Sequence, residues 1–333
     1  MRVWLRRGAA ASALWPLAQL FRLLSAMRRV LYRAGLLRAA RLPVPVIVVG
    51  NVFVGGTGKT PLTIWLVQQL RAAGYAPGVI SRGHGTNNDA PRMVDAASLP
   101  AEAGDEPVLI AQRAQCPVMV GRDRVAAARS LLARCPEVDL IVSDDGLQHY
   151  ALERDVEIVL CDERGNGNGW MLPAGPLREP ASRRRDFTVV NAGQAPPGMP
   201  GECFRMQLRG ERAERLADRS QSLALRAIAT EQPLPRVTAA AGIGNPARFF
   251  AMLRDAGLEI EEMPLPDHYD FAVDPFAGLR ADLILVTEKD AVKCRQIDTI
   301  KNDPRVWVVP VTAHIDTALV QRIVEKCRGR PTA

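Results

Sequence analysis

Six residues, Gly55-Gly56-Thr57-Gly58-Lys59-Thr60, carry the clearest chemistry in this sequence. Glycines at this spacing let backbone N–H groups turn inward on phosphate oxygens, and a helix starting at the lysine adds its partial positive charge. Lys59 would reach the β- and γ-phosphates, and the Thr60 hydroxyl would ligate Mg²⁺. ATP and Mg²⁺ are therefore the expected ligands. Asn51, Val54, Gly55, Gly56, Thr57, Gly58, Lys59 and Thr60 are the expected nucleotide contacts. The usual pattern has a further glycine five residues before Gly58, where this chain has Phe53.

Asp144 and Asp145 follow the apolar run VDLIV, the position of the metal-binding carboxylate that partners such a loop. Both are candidate Mg²⁺ residues, and a turn acid or helix cap is the plain alternative. Phosphoryl transfer to an alcohol also needs a carboxylate near the acceptor hydroxyl. Two clusters offer one: Gly104-Asp105-Glu106-Pro107, which opens a helix, and Asp267-His268-Tyr269-Asp270-Phe271, which holds one of only four histidines. An Asp–His pair suits this task. Spacing alone says nothing about contact between clusters so far apart.

The elements that must position these residues alternate. Apolar, β-branched runs at Val44–Val49, Val79–Ser81, Pro117–Val120, Val138–Val142, Val156–Cys161 and Phe187–Asn191 read as buried parallel strands. Helical patterns lie between them. This predicts an α/β fold with a P-loop, a doubly wound and mostly parallel sheet. Ligands then gather at the carboxyl ends of the strands, where the glycine loop, Asp144, Asp145 and Asp162 fall. Sequence rich in Pro and Gly around 192–201, and a polar stretch to about 235, suggest an inter-domain connection. A smaller C-terminal α/β domain follows, with strands at Val237–Ala241, Leu283–Val286 and Val306–Val309. The expected division is 1–41, 42–225 and 226–333.

The chain has 333 residues, 47% hydrophobic and 24% charged, within the globular range. Its six cysteines form no C-x-x-C pair and read as reduced thiols. The net charge is +7, yet residues 1–41 hold nine Arg and no Asp, Glu or Lys. The basic character is therefore local, which argues against an extended nucleic-acid groove and for contact with something anionic.

Within that segment the longest uncharged run, Gly8 to Phe21, spans 14 residues, short of the roughly 20 a bilayer-spanning helix needs. Leu17, Leu20, Phe21, Leu24, Met27 and Leu31 recur at helical spacing, with Arg22, Arg29 and Arg33 mainly off the stripe. Such a basic amphipathic helix can lie in a membrane interface. A helix packed on the body with a solvated arginine face is the alternative.

GNVFVGGTGKTP, SRGHG, GDEP, SDDGLQH, PAGPLREP, GIGNP, PDHYDF and TEKDAVK occur in that order between residues 45 and 293. Together they resemble the tetraacyldisaccharide 4'-kinase (lipid A 4'-kinase) family. The irregular loop around Phe53 resembles the family's own form, while His84 stands where tyrosine is expected. The resemblance implies an ATP-dependent kinase phosphorylating the 4'-hydroxyl of a tetraacylated glucosamine disaccharide 1-phosphate. It further implies Asp105 as catalytic carboxylate with His268 as partner, and Gln148, His149, Arg178 and Glu179 as substrate or active-site residues. A peripheral enzyme on the cytoplasmic face of the inner membrane, monomeric and without a nucleic-acid partner, is expected. A membrane-associated P-loop switch is the main rival; many of those carry a second lysine where this chain has Val54.

Overall fold

Gly50, Ser81, Asp144, Asp162 and Asn191 each close an apolar run, and each sits at the carboxyl end of a strand. The computed structural model describes residues 2–83, 90–193 and 199–329; His84 lies outside them. In chain order the first strands are β1 (Val46–Gly50), β2 (Pro77–Ser81), β3 (Arg92–Val94), β4 (Val118–Val120), β5 (Leu140–Asp144), β6 (Val156–Asp162), β7 (Phe187–Asn191) and β8 (Glu202–Arg209). A second set follows: β9 (Arg212–Arg215), β10 (Ser222–Ala224), β11 (Val237–Ala241), β12 (Ile260–Pro264), β13 (Leu283–Thr287), β14 (Val306–Val309) and β15 (Thr312–Ile315). The larger sheet runs β15-β8-β7-β6-β1-β5-β2-β4-β3. It is parallel except at its two edges, where β3 and β15 pair antiparallel. The smaller sheet runs β10-β9-β14-β13-β11-β12, parallel from β14 to β12.

Side chains alternate faces along a strand, so β1 feeds both cores. Ile47 and Val49 join the cluster under the helix Lys59–Ala72, while Val46 and Val48 join the opposite one with Met119 and Leu131. The helix Lys59–Ala72 is buried almost all round: Leu62, Leu66 and Leu70 on one side, Ile64, Trp65 and Val67 on others. This fixes the loop that precedes it. β1 lies between β5 and β6, where successive crossovers change direction, and ligands in open α/β sheets bind at that switch point.

The division between sheets differs from the expected boundaries. Residues 192–201 connect β7 to β8 within the larger sheet, so they do not join domains. The chain crosses at Gly210 between β8 and β9, and returns at Pro310 between β14 and β15. Residues 212–224 thus belong to the smaller sheet. β15 and the helix Ala318–Arg328 belong to the larger one, where Leu319 and Ile323 enter its core. The polar stretch hid β8 because this strand buries only alternate residues, Phe204 and Met206, between exposed Cys203 and Arg205.

At the N-terminus a helix spans Trp15–Arg33. It docks through Ala18, which is buried, and Phe21, which packs against the larger domain. Phe21 therefore leaves the predicted stripe. Leu17, Leu20, Leu23, Leu24, Met27 and Val30 remain exposed, Leu23 by 64% and Val30 by 60%. No helix among the described residues is long and apolar enough to cross a membrane.

Candidate active site

The glycine loop leaves β1 through Asn51, whose side chain is fully buried and internal. Its Nδ2 donates to Gly55 O and Thr57 Oγ1, at 3.2 and 3.0 Å, and its Oδ1 accepts from Lys59 Nζ at 3.2 Å and from Arg178. Phe53 pairs with Leu177 as an isolated bridge, and Val54 N donates to Pro176 O at 2.9 Å. The PAGPLREP segment thus clamps the loop's entry, so no early glycine is needed. Val54 is braced rather than turned inward.

Beyond Val54 the loop adopts the conformation only glycine takes readily, with φ 103° at Gly55 and 101° at Gly58. A Cβ on Gly58 would sit 2.8 Å from Asn191 Nδ2. Asn191, at the end of β7, donates to Thr57 O at 2.9 Å, and Arg164 donates to Gly56 O at 3.0 Å. The carbonyls are therefore held outward. Among the described residues, no protein acceptor takes the backbone N–H groups of Gly56 through Thr60. A cradle with outward carbonyls and open amides at a helix N-terminus fits a polyphosphate.

The two carboxylates that end β5 have different surroundings. Asp144 is buried and accepts from Thr63 Oγ1 at 3.1 Å and Ser81 Oγ at 3.4 Å. Burial, and then the charge of Glu106, push its carboxyl up. Asp145, at φ 49°, turns back toward the loop. It lies 3.8 Å from Lys59 Nζ and accepts both Arg178 guanidinium nitrogens, at 3.0 and 3.1 Å. Burial alone would raise its pKa, but Lys59 and Arg178 outweigh it and hold it near 2. Thr60, Asp144 and Asp145 are the residues here that would hold a divalent cation.

The smaller domain closes over this mouth. A cavity of about 170 Å³ is lined by Gly56–Thr60, Glu106, Ile243–Asn245, Arg248 and Lys289. A Cβ on Gly244 would come within 2.5 Å of Gly56 N, so two glycine backbones meet where no side chain fits. Arg248, from the helix Pro246–Asp255, reaches Thr57 O at 3.4 Å and Asp162 at 3.5 Å.

Asp105 opens the helix Asp105–Ala114 on the larger domain and is only 6% exposed. Its Oδ2 lies 3.1 Å from His268 Nδ1, contributed by the smaller domain. Lys293 Nζ stands 3.5 Å and Lys289 Nζ 4.0 Å from the same oxygen. Burial opposes ionisation of Asp105, yet the His268 hydrogen bond and the two lysines hold its pKa far below the ordinary carboxylate value. His268 moves the opposite way, raised chiefly by its bond to Asp105.

A family model of the tetraacyldisaccharide-1-P 4'-kinase (LpxK) matches residues 10–328. The chain belongs to this family. It is 64% identical over 334 residues to the tetraacyldisaccharide 4'-kinase of Janthinobacterium sp. (strain Marseille), covering 100% of this chain and 96% of that one. The enzyme of the same name from Herminiimonas arsenicoxydans is 62% identical, with the same coverage. Among solved structures, the "apo" form LpxK from Aquifex aeolicus in complex with ATP superposes with a TM-score of 0.77 at 27% identity, covering 96% of this chain and 99% of that one.

The kinase family's motifs converge unequally. Asp105 and His268 meet, and Lys59, Asp145 and Arg178 form one cluster. Gln148 bridges that cluster to Glu179, its Nε2 donating to Glu179 Oε1 at 3.2 Å. Glu179 itself is buried behind Arg178, bound by Arg183 and facing Arg29 of the N-terminal helix at 4.0 Å. It braces the site from behind. His149 lies apart from Asp105; burial and then the charges of Arg124, Arg82 and Arg28 lower its pKa to about 4. Sequence reasoning missed Asn191, Arg164, Arg248 and the two lysines of TEKDAVK. Asn191 ends an apolar strand as Asp144 does, and that signal was available. Arg248 carried none.

The opposed shifts of Asp105 and His268 set a pH window. A depressed Asp105 contributes stability above its ordinary value of 3.8 and loses it as pH falls; a raised His268 contributes below 6.5 and loses it as pH rises. The stability gap between wild type and Asp105→Asn, measured by urea unfolding, is expected to be widest between about pH 4 and 6.5. A gap constant from pH 3 to 8 would show that charge does not hold the pair.

Proposed function

We propose that this kinase transfers the γ-phosphoryl group of ATP to the 4'-hydroxyl of a tetraacylated glucosamine disaccharide 1-phosphate, at the cytoplasmic face of the inner membrane. The observation that carries the reading is the Asp105–His268 contact between the two domains, next to Glu106 and Lys289, which line the cavity at the phosphate cradle. A switch protein has no need of a buried acid–imidazole pair beside its nucleotide.

In this reading the amides of Gly56–Thr60 and the helix N-terminus hold the β- and γ-phosphates, and Lys59 exchanges Asn51 and Asp145 for phosphate oxygens. Thr60, Asp144 and Asp145 would hold Mg²⁺, which when bound neutralises charge on those phosphates. Arg178 keeps Asp145 aimed at the cradle. Asp105 accepts the hydroxyl proton while the acceptor oxygen bonds to phosphorus and the bridging oxygen of ATP departs. Such general-base help is worth about 10²–10⁴-fold.

The acceptor's acyl chains remain in the bilayer, so the enzyme must come to them. The exposed Leu17, Leu20, Leu24 and Met27 supply an apolar face, and exposed Arg22, Arg33 and Arg38 suit anionic headgroups at about 1 kcal/mol each. Other arginines of the segment face inward: Arg7 donates to Asn168 O at 3.0 Å, and Arg29 faces Glu179.

Asp105→Ala is expected to lower radiolabelled γ-phosphate transfer about 10²–10⁴-fold while leaving the ATP Kd within a few-fold. Equal loss of both would make Asp105 structural. Binding to vesicles containing anionic lipid is expected to weaken as salt rises and to fall sharply in Leu20→Asp/Leu24→Asp. Binding indifferent to both would remove the helix from the membrane contact.

A further inference from the structure

The helix Glu288–Cys294 is held with unusual firmness for seven residues. Thr287 caps it, accepting from Asp290 N at 3.2 Å, and Asp290 in turn accepts from Gly242 N at 3.0 Å. Glu288 is buried and binds Arg113 of the larger domain as well as Arg219 at 3.1 Å. The helix is thus pinned to both domains. One face carries Lys289 in its first turn and Lys293 in its last, four residues apart and therefore neighbours, toward the start of the helix Asp105–Ala114.

Lys289 Nζ lies among three groups at once: Glu106 Oε1 at 3.0 Å, His268 Nε2 at 3.4 Å and Asp105 Oδ2 at 4.0 Å. An ammonium only donates hydrogen bonds. The ring nitrogen it faces must therefore accept, which puts the imidazole proton on Nδ1, facing Asp105. Protonating Nε2 would set two positive charges against each other. Lys293 Nζ, buried 3.5 Å from Asp105 without a hydrogen-bond partner, adds a second cation behind the carboxylate.

We propose that Lys289 is a positioning residue for phosphoryl transfer: it fixes His268 as the neutral Nδ1–H tautomer, so that Asp105 stays an anion with an oxygen lone pair free for the incoming hydroxyl. Without it, Asp105 draws a second proton onto the imidazole and the pair becomes an ion pair in which the carboxylate is spent. Among the described residues, the charged groups that act on His268 include Asp105 on one helix, Lys289 on another and Asp267 beside it in sequence, with Glu106 and Lys293 one contact further out. Glu106 divides Lys289's attention but offers no proton to His268. The inference rests on Asp105 acting as the base and is silent on the acceptor's identity.

The test is a ¹⁵N NMR titration of histidine side chains in the full chain, with the His268 signal assigned from His268→Gln. Wild type is expected to show the Nδ1–H tautomer above its midpoint. In Lys289→Met the midpoint is expected to rise by about one pH unit or more, and the acidic limb of the kcat profile should rise with it. Lys289→Arg is expected to restore most of the wild-type midpoint. An Nε2–H tautomer in wild type, or a Lys289→Met midpoint that stays in place while kcat falls, would overturn the proposal. If the spectra behave as expected but no acylated disaccharide is phosphorylated, the acceptor assignment fails and the proposal stands.

Discussion

Asp105 is an anion with almost no water around it, and the cations that compensate it arrive from the other domain. A buried charge without partners is costly by several kcal/mol. Here Lys289 and Lys293 supply the charge and His268 a hydrogen bond, and all three belong to the smaller domain. The compensation of this buried charge therefore depends on the contact between the two domains.

The cradle is built differently, since most of the bonds that shape it come from its own domain. Asn51, Asn191 and Arg164 hold the loop from within the larger domain, and PAGPLREP holds its entry. Within it Lys59 faces Asp145 at 3.8 Å. The smaller domain meets the cradle through the close approach of Gly244 to Gly56 and through Arg248, which reaches Thr57 O at 3.4 Å. The cradle and Asp105 thus share the larger domain, while the partners of Asp105 come from the smaller one. The exposed helix Trp15–Arg33 touches this machinery through Arg29 and Glu179, behind Arg178.

Much of this was legible in the sequence, for reasons that can be named. Strands buried on both faces read as apolar runs, so the parallel centre of the larger sheet followed from pattern alone. The glycine loop and the acids after VDLIV were readable because they are local. Edge and near-edge strands were not: β8 hides Phe204 and Met206 among polar residues, and β15 follows a crossing that nothing in its sequence announces. Arg248 and Lys289 were missed because their importance lies in what faces them across a cleft. His268 could be paired with Asp105 only through resemblance to a family. The N-terminal stripe was right in its period and wrong at Phe21, since an amphipathic pattern cannot say which part of an apolar face meets protein and which meets lipid.

The central claim is that Asp105 and His268 act as one unit across the cleft. A double-mutant cycle on kcat, comparing Asp105→Asn, His268→Gln and the combination, tests it most directly. The account predicts that the double variant loses about as much as the worse single variant, because either change disables the same unit. Losses that simply multiply would show the two side chains working independently and would contradict it.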